Sequence, residues 1–179
     1  MKAEGVLVHV CCAHCSAYTL QFWQRQGYRA AAFWFNPNIH PAEEHELRLE
    51  AIKELSHEMQ VPLHVFPGYD ADIYFSRIGQ DRAERCLLCF ELRLEQTARE
   101  ARKRAYGAFS TSLLISPHQQ HEGLMIMGHE IARKTGLVFL YSDLRRRYSD
   151  SRVMTKNRHY YRQHYCGCMY SRDESRKAR

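Results

Sequence analysis

The cysteines are the residues whose type and spacing most directly suggest chemistry in this sequence. The chain has seven of them, in three short clusters at Cys11, Cys12 and Cys15, at Cys86 and Cys89, and at Cys166 and Cys168. An odd number of clustered cysteines argues against a disulfide framework. The pattern therefore indicates metal binding or redox chemistry.

Each cluster has local features that suit thiolate ligands. The first lies where a predicted strand meets a predicted helix, and a helix N-terminus stabilises thiolates. Cys11 and Cys15 are four residues apart, so we expect them to share one face of the first helical turn. Cys86-Leu-Leu-Cys89, expected at the start of a helix, fits a redox pair, a zinc knuckle or an iron–sulfur ligand pair. In the third cluster Gly167 allows a tight turn that directs both sulfurs to one site.

The number of thiols limits which metal they can serve. Seven exceed the four ligands of one tetrahedral zinc ion. They fit one [4Fe–4S] cluster that uses three or four cysteines, with the others available for a second metal or for redox work. Two structural zinc ions would need eight ligands, and His14 could supply the eighth. A zinc-stabilised protein therefore stays open as an alternative.

The charge pattern indicates a polyanionic partner, with simple solubility as the alternative. The net charge is +6 and the pI about 9.0, which favours nucleic acid. Arginines and tyrosines are interspersed between 145 and 165, and Arg with aromatic rings is the usual composition of an RNA-binding surface. No apolar run approaches the ~20 residues of a membrane helix, and the N-terminal residues look like a first strand rather than a signal peptide. We expect a cytoplasmic protein with no membrane partner.

Strand-like and helix-like segments alternate along the chain. We predict strands at 6–10, 29–35, 61–66, 108–115 and 137–141, and helices at 13–26, 42–59, 88–105 and 121–135. Repeated βα units predict an α/β fold with a mainly parallel, five-stranded, Rossmann-like sheet and helices on both faces. One domain is expected over 1–179, with a basic, cysteine-bearing C-terminal segment and a charged tail at 171–179 that can fray.

Ligands of such sheets bind at the carboxyl ends of the strands. The residues expected at that edge are Cys11, Cys12, Asn36, Pro67, Ser116 and Asp143. A phosphate-binding loop after strand 1 would need glycines, but cysteines occupy that position here. The sequence therefore gives no support to nicotinamide, flavin or ATP dependence.

Six stretches in order resemble the QueH family of epoxyqueuosine reductases. They are HVCCAHCSA at 9–17, FNPNIHP at 35–41 with Glu43 and Arg48 following, RCLLCFELRLEQTA at 85–98, FSTSLLISP at 109–117, YSDLRRRY at 141–148 and YYRQHYCGC at 160–168. Two positions depart from the family pattern, His14 where Pro is usual and Ser112 where Thr is common. The resemblance spans about residues 6 to 171.

The resemblance implies an adenine nucleotide alpha hydrolase-like fold and reduction of epoxyqueuosine to queuosine at the wobble position of tRNA. It also implies a [4Fe–4S] cluster, an adjacent mononuclear iron and an electron donor that the sequence does not identify. All seven cysteines are then expected to divide between the two metal sites. Two rival functions are an iron–sulfur tRNA sulfur transferase, which would need ATP, and a zinc-stabilised RNA-binding module.

On this basis we assign further roles as hypotheses. Asp143 is the candidate proton donor or metal-orienting carboxylate, although a helix cap or an ion pair with Arg145 is an equal alternative. Cys12 and Cys15 are counted as catalytic as well as metal-binding. The expected substrate contacts are Asn36, Asn38 and His40 around the modified base, Arg145 and Arg162 on phosphates, and Tyr161 stacked on a flipped base.

Overall fold

A computed structural model describes residues 5–178, apart from the side chains at 82 and 83. The predicted domain ends, 1–4 and 179, lie outside these described residues. Five parallel strands form one sheet in the order β3-β2-β1-β4-β5. They are β1 Gly5–His9, β2 Arg29–Trp34, β3 Leu63–Val65, β4 Ala108–Thr111 and β5 Val138–Phe139. The order reverses between β1 and β4, which makes their carboxyl ends the switch point where ligands bind.

Helices cover both faces of the sheet, as predicted. They are α1 Ala13–Arg25, α2 Ala42–Glu58, α3 Asp72–Phe75, α4 Arg82–Lys103, α5 His121–Thr135, α6 Tyr148–Met154 and α7 Met169–Lys177. Val6 and Val8 pack in a core with residues of α1 and α2. Leu7, between them, packs in a second core with residues of α4 and α5. The alternation follows from the opposite orientation of successive side chains in a strand.

Two predicted boundaries were wrong in ways that affect the site. Helix α4 begins six residues earlier than the predicted start at residue 88, because the Asp81 carboxylate accepts a hydrogen bond from the Glu84 N–H at 3.0 Å and caps it. Cys86 and Cys89 therefore lie within a helix instead of at its start. Strand β4 ends at Thr111, where the hydroxyl accepts from Leu113 N and begins a 3₁₀ turn over Ser112–Ile115. Ser116 thus follows a turn and not a strand.

The C-terminal segment is more ordered than the sequence suggested. It forms α6 against α1, and α7 after the last cysteines. Cys168 caps α7, since its sulfur accepts from Ser171 N at 3.4 Å. Among the described residues, no helix is both long and apolar enough to cross a membrane.

Candidate metal and active site

Three thiols form a first group directly after β1. Cys12 is in an extended conformation before α1, and its sulfur accepts a hydrogen bond from Cys15 N at 3.3 Å. The helix begins at Ala13, so the expectation that Cys11 and Cys15 share one helical turn was wrong. The strand end and the cap bring the thiols together instead, and all three are buried. We call this set, Cys11, Cys12 and Cys15, the three-thiol group.

The three-thiol group favours one negative charge. Hydrogen bonds from the thiols of Cys12 and Cys15 hold the pKa of Cys11 well below its usual range. The same interaction with Cys11 raises the pKa of Cys12 to about 12. A thiolate accepting two thiol hydrogen bonds is ready to bind a cation, which takes the place of the thiol protons.

Four thiols form a second group around a small cavity. Cys86 and Cys89 lie three residues apart on α4 and face the loop that ends in α7. Cys166 and Cys168 come from that loop, and all four line a cavity of about 30 Å³. We call them the four-thiol group. Burial raises the pKa of Cys89 to about 12, so this thiol gives up its proton only where a cation compensates the charge.

A buried ion pair fixes the loop that carries Cys166 and Cys168. Arg48 on α2 is 1% exposed and binds the Glu44 carboxylate, with an Nη2–Oε1 distance of 2.7 Å. Its two Nη atoms also donate to the carbonyls of Cys166 at 2.9 Å and Tyr165 at 3.0 Å. Tyr161 donates to the other oxygen of Glu44. One guanidinium thereby ties α2 to the backbone of the four-thiol group.

The loop after β2 meets the same segment. His40 N donates to Gly167 O at 2.9 Å, and the His40 Nδ1 accepts from Met169 N. Gly167 has a φ of 151°, and a Cβ there would lie 3.2 Å from Ile39 Cγ1 and 3.4 Å from Asn38 Nδ2. Glycine is therefore required between the two cysteines by its conformation and by the close approach.

A buried cation lies between the two thiol groups. Arg93, on α4, is 2% exposed, and its Nε donates to the Cys89 carbonyl at 3.1 Å. Among residues whose side chains are described, no carboxylate forms an ion pair with it. Its charge interacts instead with Cys89, Cys166 and Cys86 of the four-thiol group and with Cys11 of the three-thiol group. A buried charge needs a counter-charge, and Cys11, whose pKa is lowered, supplies a thiolate. Burial raises the pKa values of Cys86, Cys89 and Cys166, so these thiols keep their protons until a metal binds.

Tyr74 and Asn38 supply the hydrogen-bonding groups of the four-thiol cavity. Burial and the nearby thiols of Cys168 and Cys89 raise the pKa of Tyr74, so its hydroxyl keeps its proton at neutral pH. Asn38 is 2% exposed and lines the cavity, and its Oδ1 has no hydrogen-bond partner. A buried unpaired acceptor is costly, so Asn38 is set to accept a hydrogen bond from a ligand.

The other residues named from the sequence lie at several places around these groups. Asn36 is buried and binds His9 and the Val10 carbonyl, which ties β2 to β1. Asp143 and Arg145 are exposed and bind each other, with a 2.8 Å bond from Arg145 Nε. The guanidinium holds the pKa of the Asp143 carboxyl well below its usual range. This ion pair matches the alternative assignment of Asp143, and neither residue lines the thiol cavity.

His14 does not join the cysteines. Its Nδ1 meets the Thr155 hydroxyl on the C-terminal segment, and its pKa is lowered to about 4 by burial and by Arg162 and Arg152. The Nε2 atom of the proposed eighth zinc ligand is buried without a hydrogen-bond partner. The effect of Arg162 and Arg152 on the pKa of His14 also shows that these exposed arginines lie close to the N-terminus of α1, beside the three-thiol group.

The thiols fit a metal assembly by their chemistry. In the present side-chain arrangement, no three histidine, cysteine or carboxylate side chains of the described residues are placed to hold a metal ion. However, seven unpaired cysteines gather at one edge of the sheet around a buried arginine. Thiolates are ligands for iron–sulfur clusters and for iron, so the donor set fits both.

The fold and the site together define a class of protein. A solved structure described as a predicted subunit of a tRNA methyltransferase from Methanocaldococcus jannaschii matches with a TM-score of 0.52 at 14% identity, over 89% of this chain and 93% of that one. This likeness concerns the fold alone. The chain is a Rossmann-like α/β protein with a five-stranded parallel sheet and with cysteines where a phosphate-binding loop would lie.

Sequence comparisons identify the family. The family described as "Epoxyqueuosine reductase QueH" matches residues 6–174. A protein of that name from Dehalococcoides mccartyi is 48% identical over 96% of this chain and 94% of its own length. One from Thermotoga maritima is 34% identical over 96% and 92%. The chain therefore belongs to the QueH family of epoxyqueuosine reductases, which are oxidoreductases of queuosine biosynthesis, and the resemblance seen in the sequence is confirmed.

Sequence reasoning missed three site residues. Arg48 was noted only as part of the resemblance, and Arg93 and Tyr74 were given no role. Arg93 follows Cys89 by four residues and Cys86 by seven, which places the three on one helical face. A basic residue on the face that carries metal ligands was therefore a usable signal. Tyr74 lies in the stretch 70–85, which has no clear periodicity.

Proposed function

We propose that the chain reduces epoxyqueuosine to queuosine within tRNA, with its cysteines holding an iron–sulfur cluster and an adjacent iron. The observation that carries this proposal is the pair of thiol groups around buried Arg93. Two structural zinc ions would need eight ligands, whereas the thiols form one group of three and one of four. A sulfur transferase would need a nucleotide phosphate loop, and that position carries Cys11 and Cys12.

The number of donors suggests how the metals divide. The four-thiol group has the four cysteines that a [4Fe–4S] cluster usually takes. The three-thiol group would leave one coordination position of an iron open, as in catalytic metal sites. When bound, the cluster would supply single electrons and the iron a Lewis-acid position. Removal of the epoxide oxygen as water takes two electrons and two protons and leaves an alkene.

The chain's own groups would orient the substrate and supply hydrogen bonds. Asn38 Oδ1 can accept from an N–H or O–H of the substrate at the edge of the four-thiol cavity. Tyr74 keeps its proton and can donate a hydrogen bond to the departing oxygen. Asp143 is ionised and bound to Arg145, so it is less suited than Tyr74 to give a proton. We therefore propose Tyr74 as the hydrogen-bond donor.

The partner surface is proposed to lie on the C-terminal segment. Arg152, Arg158 and Arg162 are exposed there, and the first and last lie near His14 beside the thiols. Phosphate contacts by arginines fix the position of an RNA without reading its sequence. This arrangement supports tRNA as the polyanion that brings the modified base to the thiol edge.

The first experiment tests the cofactor and the reaction together. Protein purified without oxygen is analysed for iron, sulfide and zinc, then mixed with dithionite and tRNA that contains epoxyqueuosine, and nucleosides are measured by mass spectrometry. We expect broad absorption at about 400 nm and queuosine as product. Stoichiometric zinc without iron would overturn the proposal in favour of an RNA-binding module. A cluster without queuosine would overturn the assigned substrate.

The division of ligands has its own test. Cys89→Ser in the four-thiol group should remove most of the sulfide. Cys12→Ser in the three-thiol group should leave about four sulfides per chain and lower iron by about one. The two substitutions are matched, because both change one buried thiol. The reverse pattern would show that the three-thiol group carries the cluster.

A further inference from the structure

A second cavity lies at the carboxyl ends of β2 and β3. Its volume is about 260 Å³, close to the lower end of about 300 Å³ for small-molecule sites. Trp34 at the end of β2 and Phe35 directly after it close one side, and Phe66 and Tyr69 from the loop after β3 close the other. None of the cysteines lines it. The position suits a ligand site of an α/β sheet, and the metal chemistry leaves it without a role.

The lining is aromatic and nearly uncharged. Trp34 Nε1 donates to His45 Nε2 at 2.9 Å, and burial lowers the pKa of His45 to about 4, so this histidine is neutral. Among the side chains that the structure describes, no lysine or arginine lines the cavity, and Asp70 is its one carboxylate. A phosphate would find no cation there. A flat, neutral group that carries N–H donors is complementary to the aromatic rings and to Asp70.

The aromatic walls are held in place before any ligand arrives. Tyr69 donates its hydroxyl proton to the Ile39 carbonyl at 2.8 Å, and its ring lies 4.5 Å from that of His45. Phe66 N donates to the Trp34 carbonyl at 2.9 Å, which continues the β2–β3 pairing. A rigid aromatic site binds a flat ligand with little loss of side-chain entropy.

Only a thin wall separates this cavity from the four-thiol cavity. Asn36 and Pro37 line the aromatic cavity, and the next residue, Asn38, lines the thiol cavity. On α3, Ile73 faces the first and its neighbour Tyr74 the second. The wall between the two cavities is therefore only one residue thick at Pro37–Asn38 and at Ile73–Tyr74. A single RNA segment can reach both cavities.

We propose that the aromatic cavity binds an unstacked guanine-type base of the RNA substrate. This inference rests on the proposed function. Such a base has a flat ring for the aromatic walls and adjacent ring N–H and amino donors for Asp70. Two sources share this chemistry, namely the modified base itself, whose side chain would extend to the thiols, and a neighbouring base of the same strand.

Binding of short RNAs to the anaerobically purified holoenzyme tests the proposal. The probes are fluorescent stem-loops with guanosine at the modified position, and copies in which one loop nucleotide at a time is abasic. Phe66→Ala should weaken binding of the intact RNA by about fivefold or more, the lower end of what loss of one base–aromatic stack costs. Val65→Ala is the control, because Val65 precedes Phe66, is 42% exposed and does not line the cavity.

The abasic series distinguishes the two sources. The effect of Phe66→Ala should vanish for the RNA that lacks the base seated in the cavity. If the effect vanishes when the modified position is abasic, the cavity binds the modified base. If it vanishes when another position is abasic, the cavity binds that neighbouring base. Asp70→Asn, which keeps an oxygen for Asp72 N, should weaken guanosine RNA more than inosine RNA, because inosine lacks the amino group.

The outcomes separate this inference from the proposed function. If wild-type holoenzyme binds the stem-loop and forms queuosine from epoxyqueuosine-containing tRNA, while Phe66→Ala binds the stem-loop as Val65→Ala does, the base site is wrong and the reductase stands. An effect of Phe66→Ala that persists with every abasic RNA also overturns the base site. If the wild type neither binds RNA nor forms queuosine, the proposed function itself fails. Circular dichroism of each variant shows whether it folds, and Asp70→Asn provides a milder second test.

Discussion

Arg93 donates from Nε to the carbonyl oxygen of Cys89 at 3.1 Å while its guanidinium charge faces thiols of both groups. The side chain is 2% exposed. Burying a cation without a counter-charge would cost several kcal/mol, and the Cys11 thiolate is the negative group that its charge meets. The arginine in turn lowers the net negative charge of the thiol groups and of any metal assembly that they bind.

Arg93→Met should lower the reduction potential of the proposed cluster. Loss of a nearby positive charge destabilises the reduced, more negative state. We expect a decrease of about 60 mV or more, equal to a tenfold change in a one-electron equilibrium. Redox titration followed by electron paramagnetic resonance measures it. Arg93→Lys, which keeps the charge, should retain most of the potential.

Arg99→Met is the matched control, since Arg99 lies on the same helix and its side chain is 69% exposed. It should leave the potential unchanged. An equal decrease in the Arg93 and Arg99 variants would show that Arg93 has no special role. Iron and sulfide contents are measured in parallel, so that a loss of cofactor is not mistaken for a change in potential.

Arg48→Met should release the loop that carries Cys166 and Cys168. The substitution leaves Glu44 buried without its partner and removes two hydrogen bonds to the loop backbone. Breaking a buried ion pair on one side costs about 3–5 kcal/mol. We expect a clearly lower melting temperature together with loss of sulfide from the purified protein. Thermal denaturation and sulfide analysis check the two effects.

Lys53→Met is the control for Arg48, because the Lys53–Glu50 pair lies on the same helix with both side chains about half exposed. Exposed pairs contribute about 0–1 kcal/mol, so stability and sulfide should stay near wild type. Wild-type sulfide in the Arg48 variant would mean that the loop holds its position without the ion pair.

The sheet and the thiol edge could be predicted because they depend on local pattern. Apolar strands alternate with helical segments, and cysteines follow the first strand directly. The expected order of elements and the helices on both faces are confirmed. The start of α4 was missed, since its cap at Asp81 lies in a stretch of mixed polarity and competes with other turn signals.

The grouping of the thiols could not be predicted in the same way. It depends on contacts between distant residues, such as Arg48 on α2 with the backbone of Cys166 and Tyr165. The partner of Asp143 could not be predicted either, because an active-site role and an ion pair with Arg145 fitted the sequence equally, and the structure shows the ion pair. In both cases the sequence alone does not show which groups become partners in the folded chain.

Arg162→Gln should weaken RNA binding equally for all sequences and reduce its salt dependence. A lost phosphate contact lowers the slope of log K against log salt by about 0.7–1. Binding is measured by fluorescence anisotropy between low and moderate salt. Arg25→Gln is the control, because Arg25 is exposed at the end of α1, on the opposite edge of the sheet. Equal slopes in both variants would place the RNA elsewhere.

His45 should make stability depend on pH in a defined window. Burial lowers its pKa to about 4 in the folded chain, from 6.5 unfolded. Between pH 6.5 and pH 4 the unfolded state binds a proton at His45 that the folded state does not bind. The contribution of neutral His45 to the free energy of unfolding is therefore fully present above pH 6.5 and is lost as the pH falls towards 4. His45→Gln can still accept the hydrogen bond from Trp34 and removes this dependence.

Urea unfolding of anaerobic protein at pH 7 and pH 5 tests this expectation. The wild type should lose about 1 kcal/mol more than His45→Gln on acidification, after allowance for partial solvation. Burial also lowers the pKa values of His9 and His14 to about 4, but they are present in both proteins and cancel in the comparison. His57→Gln, an exposed histidine of α2, should follow the wild type. Parallel losses in wild type and His45→Gln would mean that burial does not lower the pKa of His45.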